Sequence, residues 1–192
     1  MSKFEIKDLI NIGVFAVLYF VIVYAVGMTQ VIPIMFPLSP ILMGVLGGIP
    51  LMLFITRVNK FGMLTIMGLI SSILVFLGGM SYLTVVTGLI FPIIGDYIMK
   101  LGDYKDFSKI ALGTGVFSLW VFGAFAALWL FRDQQMEMIS MGMGPEYANA
   151  LFSYIPQGSM ILYMIAVIIA GIIGAYVGRA ILKKHFERAG IA

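Results

Sequence analysis

The sequence contains no cysteine and a single histidine, His185, among its 192 residues. A disulfide framework and a thiolate metal site are therefore excluded, and a two-histidine metal site cannot form within the chain. Charged side chains are also scarce, at 11% of the residues, whereas hydrophobic ones make up 61%. This balance leaves too little polar surface to cover a water-soluble globule of this size, so we predict an integral membrane protein.

The motifs that identify many enzymes are missing as well. The chain has no Gly-x-Ser-x-Gly, no His-Glu-x-x-His and no Walker-type phosphate loop. A membrane enzyme acting on lipid would need a nucleophile and a base on one face, and no such pair is found. We therefore expect no enzymatic activity, no catalytic residue, no metal site and no intrinsic cofactor.

What the sequence does contain is a series of long uncharged runs. They lack the strict in/out alternation of a membrane barrel, so they predict an all-α bundle of six transmembrane helices in one domain covering residues 1–192. The predicted spans are 9–27, 41–55, 62–77, 82–99, 110–131 and 160–182.

Basic residues mark the two sides of the predicted membrane layer. Of the 12 Lys and Arg residues, eleven lie on one side of this layer and only Arg132 lies on the opposite side. By the positive-inside rule the side with eleven basic residues is cytoplasmic, and it holds both termini. Anionic lipid headgroups and topology explain these basic residues, so we expect a lipid bilayer and no nucleic acid as a partner. The other eleven are Lys3, Lys7, Arg57, Lys60, Lys100, Lys105, Lys109, Arg179, Lys183, Lys184 and Arg188.

Two outer connections have a distinct composition. Three prolines between Pro33 and Pro40 predict an extended or turn-rich loop before a short second span. The long outer loop 132–157 is too apolar for a free linker. Its centre, Gly142 to Pro145, predicts a break between two short helices.

Polar and aromatic residues gather at the outer ends of the spans, where they could bind a small molecule. An ordinary aromatic belt with wetted loop ends is the alternative. Arg132 favours a site, because a lone outer cation suits a carboxylate or phosphate on a ligand. The predicted substrate-binding residues are Thr29, Gln30, Tyr82, Trp120, Arg132, Asp133, Tyr147, Tyr154 and Gln157.

Asp96 is the only carboxylate inside a predicted span. A carboxylate at membrane depth can relay protons or contact substrate. It lies four residues before Lys100, however, so an i,i+4 ion pair or a contact with a partner subunit is favoured.

Two other patterns also have two interpretations each. Met136, Met138, Met141 and Met143 could bind Cu(I) through their thioethers, but a flexible apolar lid is favoured. Small residues at every fourth position of the last span predict a close-packing face for another helix. We favour a helix of the same chain over one of a partner. These small residues are Ala166, Ala170, Gly174 and Gly178.

Several short segments are informative through their order and spacing along the chain. They are Lys7-Asp-Leu-Ile10, Gly48-Ile-Pro-Leu-Met-Leu-Phe54, Lys60-Phe-Gly-Met-Leu-Thr-Ile-Met-Gly68, Phe117-Ser-Leu-Trp120, Arg132-Asp133, Glu146-Tyr147 and Lys183-Lys-His-Phe-Glu-Arg-Ala-Gly190. In this order and spacing they resemble the S components of energy-coupling factor (ECF) transporters, and most closely their Trep-Strep family. The resemblance covers nearly the whole chain.

The resemblance implies a subunit of the bacterial cell membrane that captures a micronutrient outside. It would deliver the substrate when docked on a transmembrane T component driven by two cytoplasmic ATPases, which use the ATP. S components commonly dock through Ala-x-x-x-Ala on the first helix. This chain has only Gly13 and Ala16 there, so Gly44 and Gly48 of the second span are further docking candidates.

The expected substrate is a flat, hydrophobic, acid-bearing molecule such as a vitamin-like ring or a tetrapyrrole. Haem would need an outer Tyr or Met as its axial ligand, since His185 lies on the other side. The alternative function is a stand-alone small transporter or channel. Such a protein needs a polar path through the membrane, for which Asn11 and Asp96 are the only candidates.

Overall fold

The computed structural model describes residues 5–186, with side chains up to Lys184. All regular elements in this range are helical, as predicted. Lys3, Arg188 and the side chain of His185 lie outside this description. The helices are α1 (Ile6–Gly27), α2 (Met35–Arg57), α3 (Met63–Leu77), α4 (Leu83–Lys100), α5 (Phe107–Ser118), α6 (Phe122–Leu130), α7 (Arg132–Met143), α8 (Pro145–Tyr154) and α9 (Met160–Phe186), with 3-10 turns at Met28–Val31, Leu119–Val121 and Gln157–Ser159.

Five segments of the described chain are long and apolar enough to cross a membrane. α3 is shorter: its 15 residues extend about 22 Å at 1.5 Å per residue, against a hydrocarbon layer of about 30 Å. The five segments are Ile6–Val31, Met35–Arg57, Leu83–Lys100, Phe107–Leu130 and Gln157–Lys184. The prediction of an integral membrane protein is confirmed by these apolar helices.

The short helix α3 runs antiparallel to α4. In the first half of α3, Gly68 packs against Pro92, and one turn later Ser72 lies against Gly88. A later residue of α3 therefore contacts an earlier residue of α4, as in an antiparallel pair. α3 consequently extends through the same layer of the bundle as α4.

One end of the bundle, which we call the basic end, is held together by charged side chains. The Lys60 Nζ atom lies 2.6 Å from the Asp8 carboxylate, and the Arg179 guanidinium lies 4.1 Å from the centre of the Phe107 ring. These contacts link elements that are far apart in sequence. The basic end consists of the start of α1, the loops 58–62 and 101–106, the start of α5 and the last turns of α9.

The opposite end, which we call the α7–α8 end, is held together by side-chain hydrogen bonds. The Tyr147 hydroxyl on α8 donates to the backbone carbonyl of Gln30. Trp129 Nε1 donates to the Ser159 hydroxyl at 3.1 Å. This end consists of α7, α8, the turns 28–31 and 157–159, and the neighbouring ends of α1 to α4, α6 and α9. The two predicted outer helices are confirmed, with the break at Gly144, whose φ of 93° favours glycine.

The predicted loop between Pro33 and Pro40 is wrong, because α2 already begins at Met35. Pro37 lies in the first turn, where a missing N–H costs nothing. Pro40 lies further inside, where its ring removes the donor for the Phe36 carbonyl, and the Ser39 hydroxyl donates to that carbonyl instead at 2.7 Å. The second span is therefore 23 residues long, not short.

α2 and α9 pack closely because glycines face each other along their contact. A Cβ atom on Gly48 would lie 2.2 Å from the backbone of Gly174, and one on Gly44 would lie 3.1 Å from Gly171. The interpretation of the α9 small residues as an internal packing face is confirmed. Gly44 and Gly48 are buried within this contact, so the expectation that they dock a partner is corrected: α9 already covers them.

Candidate functional site

A cavity of about 290 Å³ opens at the α7–α8 end between the ends of α1 and α3 and the start of α6. Two of its lining residues are glycines at helix ends, Gly27 and Gly78. Its size is close to that of small-ligand sites in proteins. The lining residues are Phe20, Val23, Tyr24, Gly27, Met28, Gln30, Met43, Leu74, Val75, Gly78, Met80, Val121, Ala124 and Phe125.

A second cavity of about 520 Å³ adjoins the first and shares Met80 and Ala124 with it. Between the two, the Phe36 ring meets the Phe125 ring edge-on at 5.5 Å. α7 covers part of this second cavity. The lining residues are Phe36, Gly79, Met80, Ser81, Tyr82, Ala124, Ala127, Leu128, Phe131, Gln134, Gln135, Met138 and Ile139.

Neither cavity is lined by a charged residue. The polar side chains of the first cavity are Gln30 and Tyr24, and those of the second are Ser81, Tyr82 and two glutamines of α7. An apolar wall with a few neutral polar groups is the usual composition of a small-molecule site. These cavities therefore suit a ligand with an apolar body and neutral hydrogen-bonding groups.

Arg132 does not line either cavity. Its guanidinium donates from Nη1 to the Ile155 carbonyl at 2.7 Å and from Nη2 to the Phe152 carbonyl at 3.0 Å. It also lies 4.7 Å from the centre of the Phe152 ring. The carbonyls at a helix C-terminus have no intrahelical partner, so Arg132 caps α8. Two of its donors are thus engaged by α8, which holds the guanidinium at the end of that helix.

Trp120 lies in the interior of the bundle, fully buried. Its Nε1 donates to the hydroxyl of Tyr19 at 3.1 Å. The two rings are 6.0 Å apart, and Tyr19 also meets the Phe117 ring edge-on at 5.7 Å. These contacts join α1 to the turn between α5 and α6 and do not border either cavity.

Of the nine predicted binding residues, only Gln30 and Tyr82 line the cavities. The hydroxyl of Thr29 donates to the Val26 carbonyl at 2.7 Å. Tyr147 is tied to Gln30 through its hydroxyl, and burial raises the pKa of Tyr147, so this hydroxyl keeps its proton at neutral pH. The remaining three are exposed at the same end without lining a cavity: Asp133, Tyr154 and Gln157.

The apolar lining was not predicted from the sequence. Phe20, Val23, Tyr24 and Gly27 follow the i, i+3, i+4, i+7 spacing of one helical face, which is a usable signal. In a membrane helix that spacing does not distinguish a cavity from lipid. Met80, which both cavities share, follows the Gly78-Gly79 turn, and no pattern in the sequence marks it.

The predicted ion pair between Asp96 and Lys100 is wrong. Asp96 is fully buried and accepts hydrogen bonds from the Gly62 N–H at 2.8 Å and from the Tyr104 hydroxyl at 2.6 Å. Thr65 donates to the same carboxylate from its N–H and its hydroxyl. The carboxylate thus caps the N-terminus of α3.

Lys100 is exposed, and its Nζ lies 4.9 Å from the centre of the Phe61 ring. Its ammonium group therefore lies over an aromatic ring and does not form the predicted ion pair with Asp96. Burial, together with the hydrogen bond to Asp96, raises the pKa of Tyr104, so its hydroxyl remains a donor.

The methionine-rich helix α7 has no buried residue. Met138 lines the second cavity, and Met136 packs against the hydrophobic core. Met141 is 76% exposed. α7 is therefore a loosely packed cover beside the second cavity, which fits the lid interpretation. Among the residues that the structure describes, no group of three acidic or histidine side chains could hold a metal ion.

A family model described as "Hypothetical bacterial integral membrane protein (Trep_Strep)" matches residues 6–188 of the chain. The match covers all nine helices. No curated protein and no solved structure matches the chain.

Proposed function

Since the chain belongs to the Trep_Strep family of bacterial integral membrane proteins, we propose that it captures a small apolar micronutrient at the α7–α8 end. The observation that carries this proposal is the pair of adjoining apolar cavities beneath α7. Both cavities open at the surface of this end, so a small molecule can enter them without unfolding the bundle. Aromatic rings and methionines form their walls, and methionine side chains adapt to ligands of irregular shape.

The proposed topology has six spans, with the basic end in the cytoplasm and the cavities outside. α3 supports the sixth span, since it lies along α4 through the same layer. In the described part of the chain, all Lys and Arg residues except Arg132 lie at or near the basic end. Such an asymmetry is the usual mark of the cytoplasmic side.

The absence of cysteine makes this topology easy to test. Ser153 is exposed on α8 and Ser108 is exposed at the basic end. We expect a membrane-impermeant maleimide to label Ser153→Cys in intact cells and Ser108→Cys only after permeabilisation. Labelling in the reverse order would place the cavities in the cytoplasm and contradict capture from outside.

The substrate class follows from the lining. An uncharged apolar wall favours a vitamin-like ring with few ionised groups. A tetrapyrrole such as haem would need the two cavities to open into one, with an axial ligand from Met80 or Tyr82. Its carboxylates would find no cation in the walls, because Arg132 caps α8. Of the two expected classes, we therefore favour the smaller, vitamin-like ring.

We further propose that the chain acts as an S component, docking on a T component with two ATPases that supply the energy from ATP. The sequence resemblance supports this role, as does the lack of a phosphate loop. Of the docking candidates, Gly13 lies on the exposed face of α1, where an added Cβ atom would meet nothing within 4 Å, whereas Ala16 is buried. Docking is thus proposed on the α1 face around Gly13.

The experiment is affinity purification from cells grown in rich medium, followed by native mass spectrometry. We expect a discrete small-molecule mass on the chain and ATPase subunits in the same eluate. A chain that is folded but carries no small molecule would contradict capture. A loaded chain without ATPases would contradict only the S-component role.

A further inference from the structure

Resting on the proposed function, we infer that the first cavity selects a ligand carrying an N–H or O–H donor, because Gln30 presents a fixed hydrogen-bond acceptor there. The inference depends on three hydrogen bonds. Two of them connect the backbone beside Pro40 in α2 to the Gln30 side chain, and the third connects α8 to the Gln30 main chain.

The first step is the carbonyl of Phe36. In an α-helix this oxygen would accept from the N–H four residues later, but residue 40 is proline and has no N–H. The Ser39 hydroxyl replaces that donor, at 2.7 Å from the carbonyl oxygen. The hydrogen of the hydroxyl is therefore committed to the backbone.

The second step fixes the orientation of the Gln30 amide. Ser39 is fully buried, and with its hydrogen committed, its oxygen can only accept. Gln30 Nε2 donates to it at 2.8 Å. The amide nitrogen thus faces Ser39 and uses one of its two hydrogens there, and the amide oxygen is the acceptor of this side chain that remains for a ligand.

The third step holds the backbone of Gln30. Its carbonyl accepts from the Tyr147 hydroxyl of α8, so the residue is fixed at both its main chain and its side chain. No residue in the described range 5–186 donates to the amide oxygen. Tyr24, the other polar side chain of this wall, is 61% exposed and has no comparable anchor. Preorganised groups discriminate best between ligands, because little ordering is needed on binding.

The test uses 1-naphthol and 1-methoxynaphthalene, which share an apolar body but differ in the O–H donor. Equilibrium dialysis against protein-free micelles of the same detergent subtracts partition into the detergent. We expect the chain to bind 1-naphthol about fivefold more tightly, the range of one net hydrogen bond.

Three variants locate the effect. Gln30→Met keeps the length of the side chain but removes the acceptor, so the two probes should bind equally. Ser39→Ala leaves the cavity lining unchanged but frees the amide to turn, so the preference should fall. Gln157→Met makes the same change on an exposed residue at the same end, and the preference should persist.

Ala124→Phe distinguishes failure of this inference from failure of the proposed function, because Ala124 lines both cavities. If the unmodified chain binds both probes equally and Ala124→Phe binds neither, the donor preference is overturned. The proposed capture of apolar molecules would still stand. A preference that survives in Gln30→Met would also overturn it. If neither probe binds, both the donor preference and the proposed capture of apolar molecules are overturned.

Discussion

The two ends of the bundle are stabilised in opposite ways. At the basic end, buried or half-buried charges close the structure: Asp8 pairs with Lys60, and Asp96 caps α3 with four hydrogen bonds. At the α7–α8 end the contacts are hydrogen bonds to backbone carbonyls, and two cavities remain between the helices.

The difference separates stability from binding. Asp96 is fully buried and accepts four hydrogen bonds, and leaving such donors without a partner is costly, so the basic end resists rearrangement. Hydrogen bonds from neutral donors to carbonyls contribute about 1 kcal/mol each, and those from the Arg132 guanidinium about 1.5 kcal/mol or more, so the α7–α8 end can open at moderate cost. A protein that must admit a ligand at one end is expected to have this asymmetry.

The largest expected effect is on the contact between α2 and α9, two helices that run between the two ends of the bundle. Gly48→Ala forces a Cβ atom against the Gly174 backbone, and overpacking of this kind costs about 3 kcal/mol. We expect this loss in the free energy of unfolding, measured by SDS titration in mixed micelles, with both ends loosened together. Gly13→Ala is the control, because Gly13 has open space around it. Equal stability of the two variants would contradict the close packing of α2 on α9.

The next prediction breaks the basic end alone. Asp96→Asn replaces one acceptor oxygen with a donor that faces the existing donors, and we expect a loss of about 2 kcal/mol. Hydrogen exchange should rise at the start of α3 and stay unchanged in α8. Asp103→Asn, an exposed change in the neighbouring loop, should have no effect. Faster exchange in α8 would show that the two ends are not independent.

Arg132→Met breaks the α7–α8 end instead. Methionine keeps the apolar contact with Phe152 but removes both hydrogen bonds to the α8 carbonyls. A loss of about 1.5 kcal/mol is expected, with faster hydrogen exchange in α8 only. If Arg132 binds substrate rather than capping α8, the variant would lose the bound molecule with α8 still protected, which would refute the capping role.

The smallest effect is expected from Tyr147→Phe. This change removes only the hydroxyl that donates to Gln30, at a cost of about 1 kcal/mol. Exchange should increase in the turn 28–31, next to the first cavity. Tyr154→Phe is the matched control, because Tyr154 is exposed at the end of α8. An identical response of the two variants would argue against this tie between α8 and α1.

The sequence predicts most of the helix bounds. The spans 62–77 and 82–99 agree with α3 and α4 within one residue, because glycines, a tyrosine and a lysine mark their ends. The start of α2 was not predictable, since the rule against proline in helices fails where Ser39 supplies the missing donor. That replacement depends on a local side-chain contact which composition does not reveal.

The candidate site was predictable only in its location. Polar residues at the predicted outer ends lie at the end of the bundle that holds the two cavities, and Gln30 and Tyr82 do line them. The role of Arg132 depends on which carbonyls lie beside it after folding, and its position in sequence does not give that. Apolar residues such as Phe125 carry the same pattern whether they face lipid or a cavity.

The most direct test of the account compares two alanine-to-phenylalanine variants by native mass spectrometry of the loaded chain. Ala124 lines both cavities, whereas Ala180 is exposed near the basic end. We predict that the co-purified small molecule is lost from Ala124→Phe and retained at unchanged occupancy by Ala180→Phe. Retention by a folded Ala124→Phe variant would contradict the claim that the ligand occupies the cavities at the α7–α8 end.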